Sequence, residues 1–251
     1  MNDTTFVGII PARYASSRFP GKPLAMIGDK SVIERVWRQA IQALDEVYIA
    51  TDDQRIADAV QQFGGKVIMT QTEHKSGTDR CYEAFIKSQS KANVIINIQS
   101  DEPFIHTCQI EAVKALFADK DVQIGTIVRK FDKSKGIEAL KDITEPKVVL
   151  DNNHYAMYFS RSVIPFVRGK EECEWPENAE YYTHIGMYAY RAETLAEITQ
   201  LPRSPLERAE SLEQLRWLQN GYKIKVAFTD KETVGIDTPE DIDKAIQFLN
   251  K

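Results

Sequence analysis

Three cations fall within ten residues near the start of the chain. Arg13, Arg18 and Lys22 are interleaved with Ser16, Ser17 and Gly21 in the stretch PARYASSRFPGKP. An apolar run, Phe6 to Ile10, precedes them and reads as a buried strand closed by Pro11. A cationic loop of small polar residues directly behind a strand suits a cradle for a polyanion, most simply a nucleoside triphosphate. The spacing matches neither G-x-x-x-x-G-K-[ST] nor G-x-G-x-x-G, which excludes the two best-known phosphate loops. A solvated surface loop would carry similar residues, so the stretch alone leaves both readings open. Two carboxylates supply the complementary chemistry. Asp101 stands just past the apolar run Asn93 to Gln99, where a strand-end carboxylate can hold Mg2+ through hard oxygen ligands. Asp237 precedes a helix start, where capping competes with metal binding. Together with the loop they would neutralise a triphosphate from two sides and leave one phosphorus open to attack.

Other reactive side chains give less. His184 is isolated and shares no metal-ligand spacing with His74, His106 or His154, so a structural role is its default. Glu210, Glu213 and Gln214 lie off the apolar face of a predicted helix, where solvated side chains are ordinary. No G-x-S-x-G elbow or Cys/His pair supports a hydrolase.

The elements that must position these residues alternate regularly over the first part of the chain. Val32–Leu44, Gln54–Phe63 and Thr107–Phe117 have helical periodicity; Val47–Ala50, Lys66–Thr70 and Asn93–Gln99 read as strands. Ser76 or Thr78 is placed to cap a helix running to about Ser88. This alternation predicts an α/β fold with a mostly parallel central sheet, whose carboxyl edge would carry Arg13, Asp52 and Asp101. From about residue 125 to 200 the pattern turns β-rich, predicting a smaller lobe inserted in a single 1–251 domain. Gly169–Tyr182 is polar and aperiodic, expected as an exposed loop. Leu206–Asn220 reads as one helix, with Leu206, Ala209, Leu212, Leu215 and Leu218 on one face. Thr238 is expected to cap the final helix, Glu240–Leu249.

At 251 residues with 43% hydrophobic and 27% charged side chains, the chain has the composition of a soluble globular domain. A net charge of −5 argues against a nucleic-acid partner. Three widely spaced cysteines argue against disulfides or zinc, and no segment reads as a signal peptide or membrane span, so a cytosolic protein is expected.

Taken in order, IIPARYASSRFPGKPL, ATDDQRIADAV, MTQTEHKSGTDR, NIQSDEPFI, YAMYFSRSVIPF, HIGMYAYR, ESLEQLR and GIDTPEDI cover nearly the whole chain. They closely resemble the 3-deoxy-manno-octulosonate (Kdo) cytidylyltransferase, or CMP-Kdo synthetase, family. The resemblance implies a Rossmann-like nucleotidyltransferase fold, a homodimer formed through the smaller lobe, and Mg2+-dependent transfer of CMP from CTP to a 3-deoxy-ulosonate such as Kdo. It implies that Arg13, Ser17, Arg18 and Lys22 hold the CTP phosphates, and that Ser76 and Arg80 lie by the nucleotide. Gln99 would sit near the reacting centre, and Asp101 and Asp237 would bind the metal. Arg161, His184, Tyr188, Glu213 and Gln214 would surround the sugar acid. One departure stands out: Ser100 occupies the position where the family usually has glycine. Transfer of CMP to a modified ulosonate such as 8-amino-Kdo, transfer of UMP or GMP to a sugar phosphate, and a non-catalytic nucleotide-binding regulator are the competing expectations. The last fits poorly with a chain that keeps Lys22, Asp101 and Asp237.

Overall fold

The computed structural model describes residues 4–16 and 18–249; Ser17 lies outside them. Strand β1 (Phe6–Ala12) is the spine of the fold. It runs two residues beyond its predicted end and carries Pro11 within it, opposite Ala50. The reason is geometric. Ile9 offers its carbonyl to Ile98, so residues 9 and 11 both face the β6 side, and the β1–β6 pairing reaches no further than Ile9. The missing N–H of Pro11 therefore costs no ladder bond.

After a small hairpin, β2 (Met26–Ile27) and β3 (Lys30–Ser31), helix α1 (Val32–Ala43) starts on Ser31, whose hydroxyl accepts from the Glu34 amide. Then follow β4 (Val47–Thr51), α2 (Gln54–Gln62), β5 (Lys66–Met69), α3 (Gly77–Ser88), β6 (Val94–Asn97) and α4 (Thr107–Leu116). Ser76 caps α3, its hydroxyl accepting from the Asp79 amide at 3.1 Å. The later elements are β7 (Ile124–Lys130), α5 (Gly136–Leu140), β8 (Lys147–Leu150), β9 (Ala156–Ser160), α6 (Trp175–Asn178) and β10 (Tyr182–Arg191). The chain ends with α7 (Ala192–Ile198), α8 (Pro205–Glu210), α9 (Gln214–Gln219), β11 (Ile224–Thr229) and α10 (Glu240–Leu249).

The main sheet has the order β11-β7-β10-β6-β1-β4-β5. It is parallel except for β10, which runs antiparallel to both neighbours. One face is covered by α1, α2 and α4 through Ile33, Val36, Ile56, Val60, Ile110 and Val113. The other is covered by α3, α7 and α9 through Cys81, Ala84, Leu195, Ile198, Leu215 and Trp217. Central strands sandwiched this way need apolar residues at nearly every position, which explains the continuous run through Val94, Ile95 and Ile96.

Three expectations are corrected. The β-rich region is not wholly a separate lobe, since β7 and β10 lie inside the main sheet. The lobe proper is the part between them, with β8 and β9 branching from β10 and a small core of Phe131, Leu140, Trp175 and Tyr181. The Gly169–Tyr182 segment is not simply an exposed loop. It contains α6, and Trp175 is buried in that core with Phe131, Leu140 and Tyr181, its outer edge meeting Phe166 at 4.9 Å. Finally, Leu206–Asn220 is broken. Ser211 adopts a left-handed conformation (φ 53°), ending α8 and starting a new direction for α9. Arg161 stabilises the break by donating to the freed carbonyls of Glu210 (2.7 Å) and Ser211 (3.3 Å). A buried two-bond pair between Arg216 and Glu207 then staples the two helices together.

Candidate active site

The loops leaving β1, β4 and β6 open on the carboxyl edge of the sheet, and the segment between β11 and α10 folds over it. There the chain brings together four charges distant in sequence. Lys22 Nζ lies 2.6 Å from Asp101 Oδ2 and 3.4 Å from Asp237 Oδ1, while Arg18 reaches Asp237 with two bonds of 3.1 Å. Gly21 makes the turn before Lys22 with φ 74°. The competing role for Asp237, capping α10, falls to Asp241. Its Oδ2 accepts from the amides of Asp237 and Thr238, both at 3.0 Å, and from the Thr238 hydroxyl. Thr238 therefore donates to the cap rather than forming it, and the Asp237 carboxylate is left to the cations. The main chain fixes this arrangement from below, as the Ile236 amide donates to the Asp101 carbonyl at 2.9 Å.

Asp101, Asp237 and the β10 residues Thr183, His184 and Ile185 line one cleft of about 630 Å3, with Arg18, Glu102 and Arg129 on its walls. Glu102 escaped the sequence reading, although it adjoins Asp101. Burial, reinforced by the charges of Asp101 and Asp237, pushes its carboxyl up to about 7. One oxygen of Glu102 is buried without a hydrogen-bond partner. Its contribution to stability has a definite sign. Because the folded-state value lies above the unfolded one, stability is full below about pH 4.5 and is lost as the pH rises through 7. Replacement by glutamine is expected to stabilise the protein at pH 8 by up to roughly 3 kcal/mol and to change little at pH 4. Urea unfolding at the two pH values, without divalent cations, measures this; equal gains at both would overturn it.

On β10 a bulge between Ile185 and Tyr188 compresses the strand. Residues four apart in a regular strand are separated by about 13 Å, yet the rings of His184 and Tyr188 lie 5.1 Å apart. Gly186, inside the bulge, lets Gln99 approach: a Cβ there would meet Gln99 Cγ at 3.2 Å. Gln99, His184 and Tyr188 are thus gathered beside the charged cluster's strand. Burial lowers the His184 pKa to about 3, so the ring is neutral. The Thr126 hydroxyl donates its single proton to the Met187 carbonyl at 2.8 Å, so it accepts from His184 Nε2 at 2.9 Å. That assigns the Nε2–H tautomer and leaves Nδ1 as the acceptor. A neutral acceptor of this kind suits a sugar hydroxyl better than a sugar carboxylate.

Ser76 and Glu213 line a smaller recess of about 210 Å3. The break at Ser211 carries Glu213 to α3, where it accepts from the Thr78 hydroxyl at 2.8 Å; burial raises its pKa. Gln214 is buried next to it with an unpartnered Nε2. Arg13 donates to the carbonyls of His74 and Ser76. Burial, and then the nearby charge of Arg80, lower its pKa, which marks a cation placed where an anion is welcome.

Two expected ligand residues are engaged elsewhere. Arg80 is wholly buried and holds Asp52 (3.1 Å) and the Thr70 hydroxyl, so it braces the loops after β4 and β5 from behind. The guanidinium of Arg161 is engaged by the carbonyls of Glu210, Ser211 and Ile143. Ser100 adopts no left-handed backbone, since Gln89, His154 and Ser211 are the described non-glycine residues with positive φ. The turn therefore accepts a side chain without strain.

Comparison with known proteins gives the family and the fold. The cytidylyltransferase family profile matches residues 7–224. The chain is 59% identical to the 3-deoxy-manno-octulosonate cytidylyltransferase of Parabacteroides distasonis over 97% of this chain and 98% of that one. It is 58% identical to the enzyme of the same name from Bacteroides thetaiotaomicron over 97% and 98%. A solved CMP:2-keto-3-deoxy-manno-octonic acid synthetase complexed with CTP superposes with a TM-score of 0.89 at 39% identity, covering 98% of this chain and 99% of the other. A glucose-1-phosphate thymidylyltransferase from Bacillus anthracis, at 15% identity and TM-score 0.66, shares the fold.

Proposed function

The chain belongs to the cytidylyltransferase family, with the 3-deoxy-manno-octulosonate cytidylyltransferases, and from that premise we propose the reaction it performs. It transfers CMP from CTP to the anomeric hydroxyl of Kdo, releasing pyrophosphate and forming CMP-Kdo for lipopolysaccharide or capsule synthesis. The observation that carries this reading is the convergence of Arg18, Lys22, Asp101 and Asp237 at the carboxyl edge of the sheet. A phosphoryl-type transfer asks for positioning and charge stabilisation rather than a covalent enzyme intermediate, and this cluster supplies both.

The residues fit Mg2+. Two carboxylates contact one ammonium and so lie within 6 Å of each other, both with hard oxygen donors. Among the described residues no third metal-binding side chain joins them into a closed cage, leaving the remaining positions to phosphates and water. Asp101 and Asp237 would hold the ion, which when bound polarises the α-phosphate and makes the sugar hydroxyl easier to deprotonate. Lys22, paired with both carboxylates, and Arg18, paired with Asp237, meet the incoming phosphates and stabilise the negative charge that develops as pyrophosphate leaves. Arg13, anchored on the loop before α3, binds the triphosphate from the β1 side, with Ser76 beside it. Gln99, His184, Tyr188, Glu213 and Gln214 orient the sugar acid; the neutral Nδ1 of His184 accepts from a hydroxyl. Arg161 serves the same end indirectly, by holding the turn that presents Glu213 and Gln214.

A homodimer is part of the proposal. Ile143, Met157 and Phe166 are 64%, 64% and 70% exposed on the lobe, and β9 pairs with β8 alone. Such a surface suits a second copy. A cytosolic site of action goes with nucleotide substrates, and no described helix is long and apolar enough to cross a membrane.

The test is a substrate matrix: each nucleoside triphosphate with Kdo, related 3-deoxy-ulosonates or hexose 1-phosphates, in the presence of Mg2+. Pyrophosphate is expected with CTP and Kdo. Release only with a sugar phosphate would overturn the assignment.

A further inference from the structure

One face of α3 grips the loop that precedes it. Arg80, Glu83 and Lys87, spaced three and four residues apart, reach back to Thr70, to Gln71 with His74, and to Met69 respectively. Glu83 is the centre of this grip. Its Oε2 accepts from the Gln71 amide at 2.9 Å and from His74 Nε2, and its Oε1 pairs with Lys87 at 2.6 Å. Burial works against its charge, but Lys87, the Gln71 amide and His74 together hold its pKa down at about 2. The loop it fixes returns two main-chain acceptors to the site: the carbonyls of His74 and Ser76, both bound by Arg13.

We propose that Glu83 is a positioning residue for nucleotide binding, fixing residues 71–76 so that the His74 and Ser76 carbonyls orient Arg13 toward the triphosphate. The proposal rests on the reading of Arg13 as a CTP ligand. Glu83 touches no substrate; it acts through His74 and then Arg13. A carboxylate suits the position because three donors converge on it from a loop amide, an imidazole and an ammonium. Outer partners of metal ligands contribute about ten- to a hundredfold, and the lower end of that range sets the scale for a group that orients an arginine.

The test is a double-mutant cycle read in CTP binding and steady-state kinetics. Glu83→Ala is expected to raise KM for CTP about tenfold, with kcat and the KM for the sugar acid within about twofold. Glu83→Gln keeps the shape and one acceptor, and should recover most of that loss. In an Arg13→Ala background, Glu83→Ala should add less than about twofold, because the group it orients is gone. Calorimetric CTP binding provides a second measure, and melting temperatures confirm folding. Should Glu83→Ala not fold, Glu83→Gln carries the test with a rise of about threefold that vanishes in the Arg13→Ala background. An unchanged KM for CTP in the folded variants, or losses that multiply in the double variant, overturns the proposal. If Arg13→Ala itself leaves CTP binding unchanged, the reading of Arg13 fails first and the inference falls with it.

Discussion

Asp101→Asn is expected to lower pyrophosphate release by about a thousandfold at saturating CTP and Kdo, the range seen when one preorganised charge-stabilising group is removed. The substitution keeps the shape of the side chain and the main-chain bond from Ile236 to the Asp101 carbonyl. What it removes is the charge that pairs with Lys22 at 2.6 Å and would hold the metal opposite Asp237. The fold should survive, because a partly exposed ion pair contributes at most about 1 kcal/mol. Activity assays alongside circular dichroism and thermal melting distinguish a lost charge from a lost fold. Turnover within tenfold of the parent enzyme would refute the role given to Asp101.

The second large effect belongs to Lys22→Met, expected to lower kcat by about a hundredfold or more. Methionine fills much of the same space along the buried stem, and the side chain is only 13% exposed, so packing is largely retained. The lost ammonium pairs with both Asp101 and Asp237. Two consequences separate it from a packing defect. The KM for CTP should rise together with the fall in kcat, because the same cation meets the triphosphate in the ground state and in the transition state. Lys22→Arg should restore little, since a planar fork cannot replace a point charge held between two carboxylates. Full activity in Lys22→Met would remove Lys22 from the catalytic group, and full activity in Lys22→Arg would overturn the requirement for a point charge.

Much of this was legible in the sequence, and the reasons differ by element. The apolar run of β6 and the helix–strand alternation before residue 117 reflect a sheet covered on both faces, which writes itself into composition directly. Arg13 and Asp101 could be placed on one edge because strand-end loops collect there, whereas Asp237, ahead of a helix start, was brought in by the family motif. The break at Ser211 could not. Its apolar residues satisfy one long helix as well as two short ones, and the deciding contacts come from Arg161, some 50 residues away. Glu102 was hidden for a related reason: its chemistry comes from burial beside Asp101 and Asp237, which residue type does not disclose. Arg80 carries a role its motif does not disclose, as it is buried as a brace through Asp52. His184 is intermediate. The family motif places it near the sugar, whereas its neutrality and tautomer follow only from Thr126 and Met187.

The balance of charge around Lys22 bears on how substrate is captured. Two basic and two acidic side chains are interlocked there, so their fields largely cancel a few ångströms away, and the whole protein is net negative. A triphosphate diffusing toward the cleft is not drawn in from a distance. Attraction begins only when its oxygens are close enough to compete with the carboxylates for Arg18 and Lys22. Selection is thereby moved from the encounter to the moment of contact, and this cluster contributes to capture through fit rather than through long-range steering.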